Sequence, residues 1–308
     1  MTALIAIVGP TAVGKSKLAL YLAQCFHGEI VSADSRQVYR YMDIGTAKPS
    51  LPERELVPHH IIDIIDPDEP FSLAMFQTLA YNTIEAVQKQ KRIPLLVGGS
   101  GLYIWSVLER WQMPHVPPDR ELRQNLEQKA ASEGDSALYQ ELQRADPVAA
   151  AKIMPGNTRR IIRALEVCLT TGMPASQLWH KQGLDLPVLI IGLTTARSHL
   201  YHIIDSRVDE MIKGGFVEEV KGLLAKGYSL SLPSMSSIGY RQMGMFLGGE
   251  LDLASAIEQT KHGTHRIARH QYAWFRLSDE RICWLDIRGT WENEANAMVE
   301  KFLGQFGS

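Results

Sequence analysis

The sequence predicts an α/β fold in which a parallel sheet is flanked by helices and interrupted by an inserted all-helical subdomain. Three observations carry that expectation. Short, continuous apolar runs at residues 3–8, 93–97 and 187–193 have the length and composition of strands covered on both faces. A glycine-rich turn at residues 9–16 follows the first run and leads into helical periodicity. A proline cluster, Pro114, Pro117 and Pro118, opens a stretch nearly free of strand text, and the apolar pattern resumes after Leu186 and Pro187.

In chain order, residues 3–8 read as a strand, and residues 11–23 as a helix with Leu18, Ala19 and Leu22 on one face. Residues 29–32 read as a second strand that ends at Asp34. The run 93–97 makes another, ending in Gly98, Gly99, Ser100 and Gly101. The helical insertion spans 111–186, with residues 121–131 as its plainest helix, so the core comprises 1–110 and 187–308. From Ser198 onward helices dominate, with 201–225 and 253–276 the longest.

Composition narrows the function classes. With 308 residues, 45% of them hydrophobic, the chain can bury a sizeable core. Its 32 Lys and Arg against 34 Asp and Glu give a net charge of −2, so binding of a polyanion must use local basic patches. Cys25, Cys168 and Cys283 are widely spaced with no CxxC, which argues against a zinc knuckle or a disulfide framework and fits a reducing cytosol. No apolar run approaches the roughly 20 residues needed to cross a bilayer. No basic leader precedes an apolar stretch at the N-terminus, and a cytoplasmic location is expected. Near-neutral charge without a heptad seam is compatible with a monomer.

Gly9, Pro10, Thr11, Ala12, Val13, Gly14, Lys15 and Ser16 fit G-x-x-x-x-G-K-[ST] between a predicted strand and a predicted helix. Backbone N–H groups at such a helix N-terminus wrap a phosphate, the lysine neutralises outer oxygens, and the Ser16 hydroxyl can ligate Mg²⁺. This P-loop identifies a phosphate site, not a nucleotide. An ATPase also needs a carboxylate at a neighbouring strand tip. The run 93–97 ends in glycines instead, and Ile61, Ile62 and Asp63 could supply the acid. Asp34, at a strand end that faces the ligand crevice of an open sheet, could be a metal ligand, a hydrogen-bonding group or a general base.

The order and spacing of several further strings resemble the tRNA dimethylallyltransferase (tRNA isopentenyltransferase) family of bacterial type, over nearly the whole chain. They are GPTAVGKS at 9–16, DSRQVY at 34–39, GGSGLY at 98–103, DPVAAAKI followed by RRIIRALE at 159–166, RVDEM at 207–211, SSIGYRQ at 236–242 and QYAWFR at 271–276. The resemblance implies transfer of the dimethylallyl group of dimethylallyl diphosphate to the exocyclic N6 amine of the adenosine immediately 3′ of the anticodon, position 37 of the tRNA. Diphosphate would be the leaving group, so the P-loop would hold a diphosphate, with Mg²⁺ as the metal at Ser16. Lys15, Asp34, Ser100 and Arg207 would be the catalytic set: Lys15 and Arg207 on the diphosphate oxygens, Asp34 taking the amine proton.

The same resemblance implies a tRNA surface. Asp34, Ser35, Arg36, Gln37 and Ser100 would meet the adenine and its neighbours, while Arg123 and the run Arg159, Arg160, Ile161, Ile162, Arg163 would meet the anticodon stem-loop. Ser236, Ser237, Ile238, Gly239, Tyr240 and Arg241 would join them, as would Arg269, His270, Gln271, Tyr272, Ala273, Trp274, Phe275 and Arg276. Composition alone reads the arginine runs as solvated helix faces beside a buried aromatic stripe. His270 stands where similar proteins usually have arginine, and a neutral imidazole makes a weaker phosphate contact. A P-loop small-molecule kinase would use the same loop and Asp34 but leaves the arginine-bearing insertion without a role. An adenylate isopentenyltransferase shares the loop and the base but needs no anticodon clamp, and a non-catalytic RNA-binding protein does not need the Lys15, Asp34 and Arg207 set.

Overall fold

The computed structural model describes residues 3–306 apart from 113, 115 and 118, so Pro118 of the proline cluster lies outside the described residues. Leu4–Val8 forms β1, buried at every position as its unbroken apolar text requires. After the glycine turn, α1 (Lys15–Cys25) packs Leu18, Ala19, Leu22 and Ala23 inward. Strand β2 (Gly28–Ser32), helix α2 (Leu51–Leu56), the two-residue strand β3 (His59–His60), helix α3 (Leu73–Lys89), strand β4 (Ile93–Gly98) and helix α4 (Gly101–Leu108) follow.

The chain then makes a separate compact unit over Glu109–Gly183. It contains β5 (Trp111–Gln112), α5 (Arg120–Glu133), α6 (Asp135–Ala145), α7 (Pro147–Ala150), α8 (Thr158–Thr171), α9 (Ala175–Leu178) and β6 (His180–Lys181), with β5 and β6 paired antiparallel. The first unit resumes with β7 (Val188–Thr194), α10 (Arg197–Lys213), α11 (Phe216–Ala225), α12 (Tyr240–Leu247), α13 (Leu253–Trp274), β8 (Ile282–Asp286) and α14 (Trp291–Gly304).

The six-stranded sheet has the order β3-β2-β4-β1-β7-β8, and every neighbouring pair is parallel. The strand preceding the P-loop is therefore internal, between β4 and β7, and the C-terminal ends of β1, β2 and β4 lie side by side. Helix α1 closes one side of this core through Leu18 and Leu22 against Ile5, Ile7 and Leu95.

Several sequence expectations change. Residues 11–14 are loop, not helix: Ala12 and Gly14 have φ of 67° and 94°, conformations that a right-handed helix does not admit. The 201–225 helix breaks at Gly214 and Gly215, with Gly215 at φ 97°. The last long helix stops at Trp274, two residues before Arg276. Ile61 and Asp63 have positive φ and do not prolong a strand, and Asp63 is held by Lys48 at 2.5 Å and Arg54 at 2.6 Å, so it is a structural anion and not a metal carboxylate at a strand tip. Strand β8 had no counterpart in the sequence reading. No helix among the described residues is long and apolar enough to cross a membrane.

Within the 109–183 unit, Leu126, Leu138, Leu142, Ile161, Ile162 and Leu165 build the core. Glu166 is fully buried and accepts from Arg123 (2.9 Å twice), from Arg163 (2.5 Å) and from the Asp119 N–H (2.8 Å). Dehydration alone would raise its pKa, but Arg123, Arg163 and the Asp119 N–H hold the carboxyl below the usual range. Glu166→Ala leaves two guanidinium groups and one N–H without their acceptor. The guanidiniums keep partial solvent access, so the expected loss is about 3 kcal/mol, at the low end for a broken buried pair. A thermal melt of the variant should show that loss as a lowered Tm.

Candidate active site

The P-loop is shaped by close approach as well as by hydrogen bonds. Gly9 has φ 141°, and a Cβ there would lie 2.5 Å from the Leu193 carbonyl oxygen of the neighbouring strand, so no other residue fits. The Thr11 N–H donates to the Gln271 Oε1 at 2.7 Å, and the Lys15 ammonium donates to the Pro10 carbonyl at 2.5 Å. Helix α1 starts at Lys15 without a side-chain cap, which leaves its first N–H groups facing the loop mouth.

A cavity of about 470 Å³ opens at this end of the sheet, of the size expected for a small-molecule site. Its wall is polar on Lys15, Ser16, Asp34, Arg207 and Glu210, and apolar on Ile30, Pro49, Ile62, Val97 and Ile203. The P-loop, the tip of β2 and helix α10 thus meet at one site. Asp34 Oδ1 accepts the Arg36 N–H at 2.8 Å, a turn that fixes the carboxylate just past the strand. Dehydration lowers the Lys15 pKa, Asp34 partly restores it and Arg207 lowers it further, leaving it at about 7. Dehydration likewise lowers Arg207, while Asp34 and Glu210 raise it. Two cations, Lys15 and Arg207, and two carboxylates, Asp34 and Glu210, therefore line one dehydrated site.

This field predicts a pH effect. An anion bound at the loop favours charged Lys15, raising its pKa above the free value of about 7. Below pH 7 the lysine is charged with or without the anion, and affinity has no slope from this group. Above pH 7 binding takes up a proton, so affinity for inorganic diphosphate should fall with rising pH, by at most about tenfold per unit. Titration of binding from pH 6 to 9 checks this, and Lys15→Arg, charged throughout, should lose the slope relative to the parent protein.

The remaining expected site residues divide. Gln37 lines the cavity, but its amide is engaged: it accepts from the Ser32 hydroxyl at 3.1 Å and donates to the Thr46 and Ala47 carbonyls at 3.3 Å each. It fixes a wall. Ser100 does not line the cavity; its carbonyl accepts the N–H groups of Tyr103 and Ile104 at the start of α4. Arg36 donates to the Pro233 carbonyl at 2.9 Å.

Tyr240 is fully buried, with its hydroxyl on Glu219 at 2.6 Å, and Ser237 is buried on the Ser234 carbonyl. Phe275 is fully buried, and Tyr272 is half-buried with its hydroxyl 2.9 Å from that of Thr194. Ile161 and Ile162 are core residues of their unit, and Arg123 and Arg163 are engaged by Glu166. The expectation that the side chains of Ile161, Ile162, Tyr240 and Phe275 face RNA is therefore corrected to packing. On the same helix, α13, Lys261 is paired with Asp209 at 2.8 Å. Ser236, Arg241, Arg159, Arg160, Arg269, His270, Ala273, Trp274 and Arg276 are exposed. Ser35 and Ile238 are half-buried.

Sequence reading missed Glu219, whose carboxylate accepts from the N–H groups of Asp43 (2.9 Å), Ile44 (2.7 Å) and Gly45 (3.2 Å) and so anchors the loop carrying Thr46 and Ala47 into the cavity wall. Nothing at sequence level marks a glutamate that far away as a loop anchor. Ile203, Ser206 and Glu210 were also missed, although helical spacing of i−4 and i+3 places Ile203 and Glu210 on the face of Arg207.

A family model described as IPP transferase matches residues 37–278. The tRNA dimethylallyltransferase of Roseiflexus castenholzii is 52% identical over 276 residues, covering 90% of each chain, and that of Thermomicrobium roseum is 48% identical over 300 residues, covering 97% of this chain and 91% of the relative. Among solved structures, the tRNA isopentenylpyrophosphate transferase of Bacillus halodurans is similar with a TM-score of 0.73 at 40% identity, covering 99% of this chain and 98% of that one. A eukaryotic dimethylallyltransferase acting on tRNA gives a TM-score of 0.83 at 28% identity, covering 99% of this chain and 80% of that one. On these matches the chain belongs to the IPP transferase family.

Proposed function

We propose that this protein is a tRNA dimethylallyltransferase that moves the dimethylallyl group of dimethylallyl diphosphate onto the N6 amine of the adenosine beside the anticodon. The observation that carries the reading is the meeting of Lys15, Ser16, Arg207 and Asp34 in one cavity with an apolar wall. The cations fit a diphosphate, the apolar wall fits a five-carbon chain, and the carboxylate fits an amine that must lose a proton.

The N6 lone pair attacks the allylic carbon as its bond to the bridging oxygen breaks. Diphosphate departs with the electron pair, and the proton from the alkylated nitrogen passes to Asp34. Lys15 and Arg207 bind the oxygens on which negative charge grows, so they favour the transition state over the bound donor. The exposed Ser16 hydroxyl at the first turn of α1 is a hard oxygen donor of the kind that, with phosphate oxygens and waters, suits Mg²⁺. When bound there, the metal would supply further positive charge to the leaving group. Glu219 and Gln37 hold the cavity wall through the loop at residues 43–47.

The exposed Arg159 and Arg160 on one unit and Arg269, His270 and Arg276 on the other serve as phosphate contacts for the anticodon stem-loop, with exposed Trp274 available for stacking. Arg160→Glu and Arg269→Glu should each weaken stem-loop binding and reduce the slope of log affinity against log salt by about one. Binding measured across a salt series checks this.

The reading itself is tested by offering labelled dimethylallyl diphosphate with unmodified tRNA, with AMP, or with neither. Label is expected on tRNA alone. Label on AMP and not on tRNA would move the protein to the free-nucleotide class, and ATP-dependent phosphorylation of a small acceptor would move it to the kinases.

A further inference from the structure

We propose that Gln271 is a positioning residue for the transfer reaction, its side-chain amide locking the phosphate loop to the Gly98–Gly101 loop across the sheet end. The proposal rests on the function given above.

Near the end of α13, Arg269, His270 and Ala273 face solvent while Gln271 is half-buried and turned the other way. Its Oε1 accepts the Thr11 N–H at 2.7 Å, and its Nε2 donates to the Gly99 carbonyl at 3.0 Å. Both partners are backbone groups of fixed polarity, one a donor and the other an acceptor, so the amide has a single satisfying orientation. Three segments distant in sequence are joined by one side chain.

Both ends of that bridge are built for it. On the phosphate-loop side, the residue after Thr11 is Ala12 at φ 67°, a left-handed conformation that costs a residue with a Cβ about 1–2 kcal/mol and persists only where surroundings impose it. The bond to Gln271 fixes the adjoining peptide. It also engages the Thr11 N–H, so an anion in the loop must be cradled by the N–H groups that follow. On the other side, a Cβ at Gly99 would lie 2.3 Å from Gln271 Nε2, so glycine at 99 is what admits the amide. The helix itself is pinned: Trp105 Nε1 donates to the Trp274 carbonyl at 3.0 Å, and a Cβ at Gly101 would lie 2.2 Å from the Trp274 ring.

Thr11, Gly98 and Gly99 line the cavity with Lys15 and Asp34, whereas Gln271 does not. It touches no reactant and acts by setting the spacing of two loops that do. A misplacement of about 1 Å in a reacting geometry can cost about a hundredfold in rate. The same helix presents its cations outward, so a role in gripping RNA and a role in spacing the loops make different predictions for Gln271.

The test compares Gln271→Ala, Gly99→Ala and the double variant in kcat, KM for dimethylallyl diphosphate, affinity for inorganic diphosphate, and affinity for an anticodon stem-loop. Rates are normalised to active sites counted in a single-turnover burst, so that unfolded protein does not imitate the effect. Gln271→Ala is expected to raise the donor KM and the diphosphate Kd about tenfold and to lower kcat by about tenfold or more, with stem-loop Kd within about twofold. Gly99→Ala should reproduce the pattern by displacing the amide. The double variant should be no worse than the poorer single one, the non-additivity of two changes at one contact. Parent-like donor KM and kcat in Gln271→Ala, a loss confined to stem-loop binding, or additive losses in the double variant would each overturn the proposal. Failure of the functional reading shows separately, as parent protein that transfers no prenyl group, and the diphosphate affinities still read the bridge in that event.

Discussion

Asp34→Ala is expected to lower kcat by about two to four powers of ten, the range over which a positioned general base acts. The adenine amine is a weak nucleophile whose lone pair is drawn into the ring, and the alkylated nitrogen is stable only after it loses a proton. Asp34 is the carboxylate at the tip of β2, held by the Arg36 N–H and interacting with both Lys15 and Arg207. Removing it also removes an attraction that raises the Lys15 pKa, so diphosphate affinity is measured beside turnover to separate loss of the base from loss of the lysine charge. Asp34→Asn separates the effects further, since it keeps the turn acceptor and loses the base. Single-turnover kinetics at saturating donor and tRNA are the measurement, and near-normal turnover in both variants would remove Asp34 as the base.

Lys15→Ala should lower kcat by about two to three powers of ten and weaken donor binding as well. The lysine is the cation of the phosphate loop, and its dehydrated setting makes its charge count for more than a surface lysine's would. Arg207 reaches the same cavity from α10. On the proposed reaction the two groups stabilise one leaving group, so Lys15→Ala and Arg207→Ala together should cost less than the product of the two single losses. Arg207→Lys should recover part of the activity, short of full because an ammonium cannot take two oxygens in parallel. Steady-state kcat and KM for the donor across this set check the ordering.

The phosphate loop, its strand and Asp34 were legible because local rules govern them: a buried strand must be apolar throughout, and a backbone anion cradle needs glycines at fixed intervals. Strand β8 was not legible, since only Ile282 and Leu285 of Ile282–Asp286 are buried and an edge strand shows no continuous apolar run. Arg159, Arg160 and Arg163 were read together as a surface for the anticodon stem-loop, but Glu166, at i,i+3 from Arg163, was in the text too. Whether an arginine turns to solvent or to a buried carboxylate depends on a second partner, here Arg123, some forty residues away. Tyr240 and Gln271 fall in strings that resemble an RNA-contacting family, yet one is buried on Glu219 and the other bridges two loops. Such roles arise from tertiary contacts across tens to hundreds of residues, and no local pattern encodes them.

A phosphate loop that grips a departing diphosphate is tested most directly with a donor carrying one label in the prenyl group and another in the diphosphate. With unmodified tRNA in excess, one diphosphate should be freed for each prenyl group that appears on tRNA, and nuclease mapping should place every prenyl group on the adenosine next to the anticodon. Diphosphate retained on the product, prenyl transfer to free AMP, or consumption of ATP in step with product would contradict it.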